Sequence, residues 1–215
     1  MEPQYWHEKW ESRQIGFHRD QPHPFLQKHI DTISLGPGKR ILIPLCGKTV
    51  DIPYLLSRGF EVLGVELVET AVQELFSEMT VQPEIESLMN GKLKSYSAEG
   101  IQVFAGDLFD ISPELLDSVD AIYDRAAIVA LPEGMRERYS ERLLRLCPEA
   151  PQLIITFEYD QSRMDGPPFS VTERNIREYY GKTHQLTLLE KIQLQDGLKH
   201  LESVRECAWM LEPIH

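Results

Sequence analysis

The sequence predicts an α/β fold: a mostly parallel, seven-stranded sheet, covered by helices on both faces and finished by an antiparallel hairpin. Three observations carry that expectation. Short apolar runs alternate with amphipathic stretches from residue 40 to residue 180, the rhythm of βαβ units. The last two strand-like runs are joined through Gln195-Asp196-Gly197, a linker too short for a crossover helix, so they must pair antiparallel. No repeat, low-complexity tract or Pro/Gly/Ser linker divides the chain, so one domain is expected over 1–215, with 1–35 as a helical cover and 36–215 as the core.

In chain order, Tyr5 to Gln14 brings Tyr5, Trp6 and Trp10 near one helical face, and Gly16 breaks the pattern. A second helix is expected from His23 to about Ser34, between Pro22/Pro24 and Gly36-Pro37-Gly38. Arg40–Pro44 reads as the first strand and Asp51–Ser57 as a helix stopped by Gly59. Glu61–Glu66 is the second strand, followed by a helix from Glu69 to about Val81. Ile101–Ala105, Ala121–Tyr123 and Gln152–Tyr159 are further strands. Helices are expected over Pro132–Cys147 and Glu173–Tyr180, and the closing hairpin over His184–Leu194 and Ser203–Leu211.

The 34 acidic and 22 basic side chains give a net charge of −12. An acidic surface repels phosphate backbones, and no basic patch offsets it, so nucleic acid is not an expected partner. No apolar run reaches the roughly 20 residues of a membrane span, and the N-terminus lacks the apolar stretch of a signal peptide. Cys46, Cys147 and Cys207 are odd in number and lie in apolar surroundings, which suits buried thiols in a reducing compartment better than disulfides or a zinc site. A cytoplasmic location is expected, and no metal. Nothing in the sequence suggests an interface, so a monomer is expected.

Arg40 to Glu66 is the most informative stretch. A strand runs into Leu45-Cys46-Gly47-Lys48, and the next strand ends on Glu66, 19 residues beyond Gly47. In doubly wound sheets, an acid ending the second strand accepts hydrogen bonds from ribose hydroxyls. A phosphate-binding P-loop would need glycine at Leu42, and the dinucleotide fingerprint needs three glycines where this loop has one. Retaining the acid without those glycines suits an adenosyl ligand better than NAD. The alternative is an ordinary strand-ending glutamate. Asp107 in Gly106-Asp107-Leu108 could accept from an adenine amino group while Leu108 packs on the ring; alternatively it only caps the next turn. Arg125 ends the following strand as a candidate clamp for a cofactor carboxylate or an anionic substrate group, or else pairs structurally with Asp124 or another local acid.

Five segments occur in order: Trp6-x3-Trp10-x6-Phe17-His18, Pro44-Leu45-Cys46-Gly47-Lys48, Gly64-Val65-Glu66, Asp124-Arg125-Ala126-Ala127 and Gly166-Pro167-Pro168-Phe169. Together they resemble the thiopurine S-methyltransferase family, most closely its bacterial members, from about Trp6 to Leu211. The resemblance implies a class I S-adenosylmethionine-dependent, Rossmann-like methyltransferase fold. It implies transfer of a methyl group from S-adenosyl-L-methionine to the sulfur of thiopurines and other aromatic or heterocyclic thiols, leaving S-adenosyl-L-homocysteine. It places Trp6, Trp10, Leu45, Glu66, Asp107, Leu108 and Arg125 at the cofactor and Phe17 and Arg125 at the substrate. One departure concerns the final hairpin, where mammalian members carry an arginine that holds an anionic substrate. Here the loop reads Gln195-Asp196-Gly197-Leu198-Lys199, with only Lys199 or Arg205 nearby.

Methyl transfer to an ionised thiol or a thione needs alignment and water exclusion more than acid–base machinery. The aromatic N-terminal segment is therefore a candidate lid, its rings able to attract a sulfonium through cation–π contact; a permanently docked helix is the alternative. His18 and Asp20 could relay a proton from a neutral thiol, His18 being the better candidate because imidazole titrates near neutrality. Three rivals stand beside this reading: a methyltransferase detoxifying selenium or tellurium compounds, a NAD-dependent oxidoreductase, and a silent binding protein that keeps only the crevice.

Overall fold

A computed structural model describes residues 3–199 and 201–214; Met1 and Glu2 of the expected cover, and His200 and His215, lie outside the described residues. Helix α1 (Pro3–Glu11) and α2 (Pro24–His29, continued as a 3-10 turn over Ile30–Ile33) precede the sheet. Strand β1 (Arg40–Pro44), α3 (Asp51–Ser57), β2 (Glu61–Glu66) and α4 (Glu69–Glu78) form the first βαβα run. Strands β3 (Glu84–Leu88), β4 (Leu93–Ala98) and β5 (Ile101–Ala105) follow, then α5 (Pro113–Leu116) and β6 (Ala121–Arg125). Helix α6 (Glu133–Leu146), β7 (Gln152–Glu158), α7 (Glu173–Tyr180), β8 (His184–Gln193) and β9 (Arg205–Pro213) complete the chain.

All strands join one sheet in the order β3-β4-β5-β2-β1-β6-β7-β9-β8. The five strands β5-β2-β1-β6-β7 are parallel, and β9 inserts antiparallel between β7 and β8. The seven expected strands are present, with the hairpin at the expected end. The count of seven is corrected to nine, because β3 and β4 add a second antiparallel hairpin at the opposite edge. Residues of β3 are exposed almost throughout, so this strand carries none of the apolar pattern that marks a buried one. Its one sequence signal is the turn dipeptide Asn90-Gly91, where Asn90 adopts a left-handed φ of 56°.

The helix ends also shift. Helix α1 stops at Glu11 rather than Gln14, and α4 at Glu78 rather than Val81. The final hairpin pairs Gln193 with Arg205, so the connection spans residues 194–204, slightly more than the 195–202 left between the expected strands.

The period-two alternation of the strands divides the core into two layers. Leu42, Val65, Ile122, Ile154 and Trp209 face α6 and α7, whereas Ile43, Val62, Tyr123, Ile155 and Met210 face α2, α3 and α4. Each fully buried aliphatic side chain contributes about 1.5–3 kcal/mol by leaving water. Both faces of the parallel strands are thereby sealed, and only their ends remain available for chemistry. The three cysteines are buried and free. Among the described residues, no helix is long and apolar enough to cross a membrane.

Candidate active site

The sheet order reverses direction at β1, with β2 and β5 on one side and β6 and β7 on the other. Such a switch point opens a crevice at the carboxyl ends of the strands. Two non-glycine residues at these ends adopt left-handed backbone, Leu45 after β1 (φ 49°) and Ala126 after β6 (φ 61°). Strain of this kind costs about 1–3 kcal/mol per residue and clusters where function fixes the backbone.

Glu66 ends β2 and is buried. Its Oε2 accepts the Gly47 amide at 2.8 Å and its Oε1 accepts the Val68 amide at 2.8 Å. Burial raises its pKa, while those backbone donors oppose the rise. Each carboxylate oxygen has a second lone-pair direction, so the acid can hold the loop and still accept from a hydroxyl. Gly47 has φ 54°, and a Cβ built there would meet Trp10 Cζ2 at 3.0 Å. Glycine is required twice over, by the backbone and by the indole above it.

That indole belongs to α1. Trp10 is buried against Val68 and Ala71, with Trp6 and Phe17 packed beside it. Phe17 meets Trp10 edge-on at 5.8 Å and Trp6 at 6.0 Å between ring centroids. The N-terminal segment therefore lies docked on the Gly47 loop and the start of α4. His18 sits in the same segment with its amide bonded to the Ile15 carbonyl, and Asp20 is exposed nearby. Neither side chain is bonded to another described residue of the crevice.

After β5, Gly106 adopts φ 151°, and Asp107 Oδ1 accepts the Phe109 amide at 2.9 Å. Asp107 thus caps a 3-10 turn over Leu108–Asp110 while remaining partly exposed. The Leu108 side chain is buried in the layer facing α6.

Asp124 and Arg125 part company. Asp124 is wholly buried, accepting the Tyr139 hydroxyl at 2.8 Å and the Ile128 amide at 3.0 Å, and burial lifts its pKa to about 6. Arg125 makes no ion pair among the described residues, so the structural pairing with Asp124 is not formed. By strand alternation Arg125 lies on the Tyr123 side of β6. There its charge opposes the upward push that burial and Asp51 exert on the Tyr123 hydroxyl. With no ion-pair partner among the described residues, the Arg125 guanidinium keeps the capacity to bind a carboxylate in a protein of charge −12.

Sequence reasoning missed the polar floor beneath Arg125. Asp51, buried at the start of α3, accepts the His23 amide at 2.7 Å and the Tyr123 hydroxyl at 3.1 Å. His23 Nδ1 accepts the Phe25 amide, which leaves Nε2–H to donate to Glu206 Oε1 at 3.1 Å. These four residues lie far apart in sequence, so no local spacing announced them. A separate open cavity of about 630 Å³ lies beyond β7, but its Glu158 already binds Lys191 at 2.9 Å and Arg205 at 3.6 Å.

The geometry agrees with three comparisons. The family model for thiopurine S-methyltransferase matches residues 1–212. A thiopurine S-methyltransferase of Xanthobacter autotrophicus is 45% identical over 99% of both chains. One of Gluconobacter oxydans is 43% identical over 98% of this chain and 94% of its own. Among solved structures, a 1,6-didemethyltoxoflavin-N1-methyltransferase of Burkholderia thailandensis, bound to 1,6-didemethyltoxoflavin and S-adenosylhomocysteine, superposes with a TM-score of 0.65. It covers 99% of this chain and 87% of its own at 16% identity, and so shares the fold alone. The fold, the crevice and the full-length match agree: the chain belongs to the thiopurine S-methyltransferase family of S-adenosyl-L-methionine-dependent methyltransferases.

Proposed function

We propose that this enzyme methylates the sulfur of small aromatic or heterocyclic thiols, thiopurines among them. The observation that carries the reading is the placement of Glu66, Asp107, the Leu45–Gly47 loop and Arg125 at the carboxyl ends of neighbouring strands, with Trp10 and Phe17 over Gly47. Glu66 would hold the ribose, Asp107 the adenine amino group and Arg125 a carboxylate of the cofactor or an anionic group of the acceptor. Leu45 and Leu108 back the cofactor site, Leu108 from within the core. When bound, S-adenosyl-L-methionine supplies a methyl group on a sulfonium, and its positive charge disappears on transfer.

The chain's own contribution is alignment and exclusion of water, worth up to roughly 7–11 kcal/mol in well-oriented reactions. The N-terminal segment supplies the roof, and its rings favour a cation by about 0.5–2 kcal/mol. We take it as a lid, docked here through Trp10. His18, with Asp20, would accept a proton from a neutral thiol. A monomer in the cytoplasm acting on a small diffusible acceptor is the corresponding cellular picture. Lys199 Nζ donates to the Pro167 carbonyl at 2.6 Å, so the one lysine of the final loop is held by backbone, in place of the substrate-holding arginine of mammalian members.

The test is incubation with labelled S-adenosyl-L-methionine and a panel of thiopurine, thiophenol and selenite acceptors. Methyl product on sulfur supports the reading. Product on selenium or tellurium alone would replace it with detoxification of those compounds, and binding without turnover would reduce the protein to a carrier.

A further inference from the structure

One carboxylate joins three separate parts of the molecule. Glu74 lies in the middle of α4, and its Oε2 accepts from Arg13 at 2.7 Å and from Lys48 at 3.0 Å. Arg13 belongs to the N-terminal segment, just past α1; Lys48 belongs to the loop after β1 and adjoins Gly47. The Gly47 amide is in turn donated to Glu66, so a continuous bonded path runs from the cover to the acid at the heart of the crevice.

We propose that Glu74 is a positioning residue which locks the N-terminal cover to the cofactor loop, and that cofactor affinity depends on this lock. The inference rests on the crevice being the cofactor site. Three features favour a built contact over a chance surface pair. The Lys48 side chain is only 9% exposed, unusual for a lysine, and Glu78 holds its other side at 2.5 Å. Arg13 adopts φ 56°, a left-handed position at a helix end that glycine ordinarily fills, and that backbone turns its side chain onto α4. Burial alone would raise the Glu74 pKa, yet the bonds from Arg13 and Lys48 hold it below the usual range, so the carboxylate stays charged. The lock also complements the apolar contact: Trp10 rests on Gly47 from above, and Glu74 grips the neighbouring lysine from α4.

The variant Glu74→Gln leaves Lys48 neutralised by Glu78, so it removes the lock without stranding a buried charge. S-adenosylhomocysteine binding is measured by calorimetry for the wild type, Arg13→Gln, Lys48→Gln and the Arg13→Gln/Lys48→Gln double variant, each with Glu74 intact and as Glu74→Gln. Expected are a weakening of about 3- to 10-fold for Glu74→Gln and a coupling of about 2- to 5-fold between Arg13 and Lys48, which do not touch, with the coupling abolished in the Glu74→Gln background. The KM for S-adenosyl-L-methionine should rise while kcat holds. High salt should weaken binding by the wild type more than by Glu74→Gln, because the Arg13 arm is exposed. Additive effects of Arg13 and Lys48, or a Glu74→Gln variant with unchanged affinity and salt response, overturn the proposal. Failure of the wild type to bind S-adenosylhomocysteine would instead overturn the reading of the crevice.

Discussion

Replacing Gly47 by alanine tests the contact between cover and loop most directly. The position has φ 54°, where a Cβ costs about 1–2 kcal/mol, partly offset by about 0.4–1 kcal/mol from a less flexible unfolded chain. The new methyl would also sit 3.0 Å from Trp10 Cζ2, and the indole is boxed in by Val68 and Ala71. Overpacking of that kind costs about 1–3 kcal/mol. The combined loss is about 1–5 kcal/mol, or roughly 2–20 °C in melting temperature for a chain of this size. Thermal and urea melts of Gly47→Ala, Trp10→Leu and the double variant separate the two contributions. Once the indole is gone, the alanine should cost only the backbone part, about 1 kcal/mol or less. Equal cost in both backgrounds, to within about 0.5 kcal/mol, would refute the steric reasoning.

Other outcomes follow from the same residues. Asp124 is protonated in the folded protein below about pH 6 but ionised in the unfolded chain above its ordinary pKa of 3.8. The folded state therefore binds the extra proton between those limits, and stability falls as pH rises through them. Against Asp124→Asn, which lacks the group, the wild type should lose about 3 kcal/mol of relative stability between roughly pH 4 and pH 6; a flat difference in paired urea melts contradicts the assignment. Arg125→Gln should weaken S-adenosylhomocysteine or acceptor binding about 10- to 100-fold with little change in melting temperature, since the guanidinium holds no ion pair among the described residues; unchanged binding of both removes it from the site. His18→Ala should lower the rate profile for a neutral thiol and leave that for a thione unaffected. An identical profile for the thiol ends the proton-relay role.

What the sequence disclosed followed a physical rule. Strands buried on both faces must be apolar along their length, so β1, β2, β5, β6 and β7 stood out, and the short final linker dictated an antiparallel hairpin. Glu66 was legible because a strand end and a loop glycine sit at a fixed separation. The exposed β3–β4 hairpin was not, since a solvated edge strand imposes no apolar pattern; only Asn90-Gly91 marked it. Nor could sequence decide between the two fates of Arg125, because the competing acid is claimed by Tyr139, from a helix beyond the strand. Contacts such as Arg13 with Glu74, or His23 with Glu206, join residues distant along the chain and exist only once the sheet has gathered them.

Glu66 carries a consequence for how such a site can change over evolutionary time. Its two oxygens bridge the ends of adjacent strands, tying the amide of Gly47 to that of Val68. A shorter aspartate would not span both, and a glutamine would oppose its NH2 to one of the two donors. The residue that would be altered to retune ligand affinity is therefore also a fastener of the fold. Selection on the one property is felt at once by the other. Variation in what the enzyme accepts is accordingly expected at Arg125, Phe17 and the 194–204 connection, where side chains can be exchanged without unfastening the sheet.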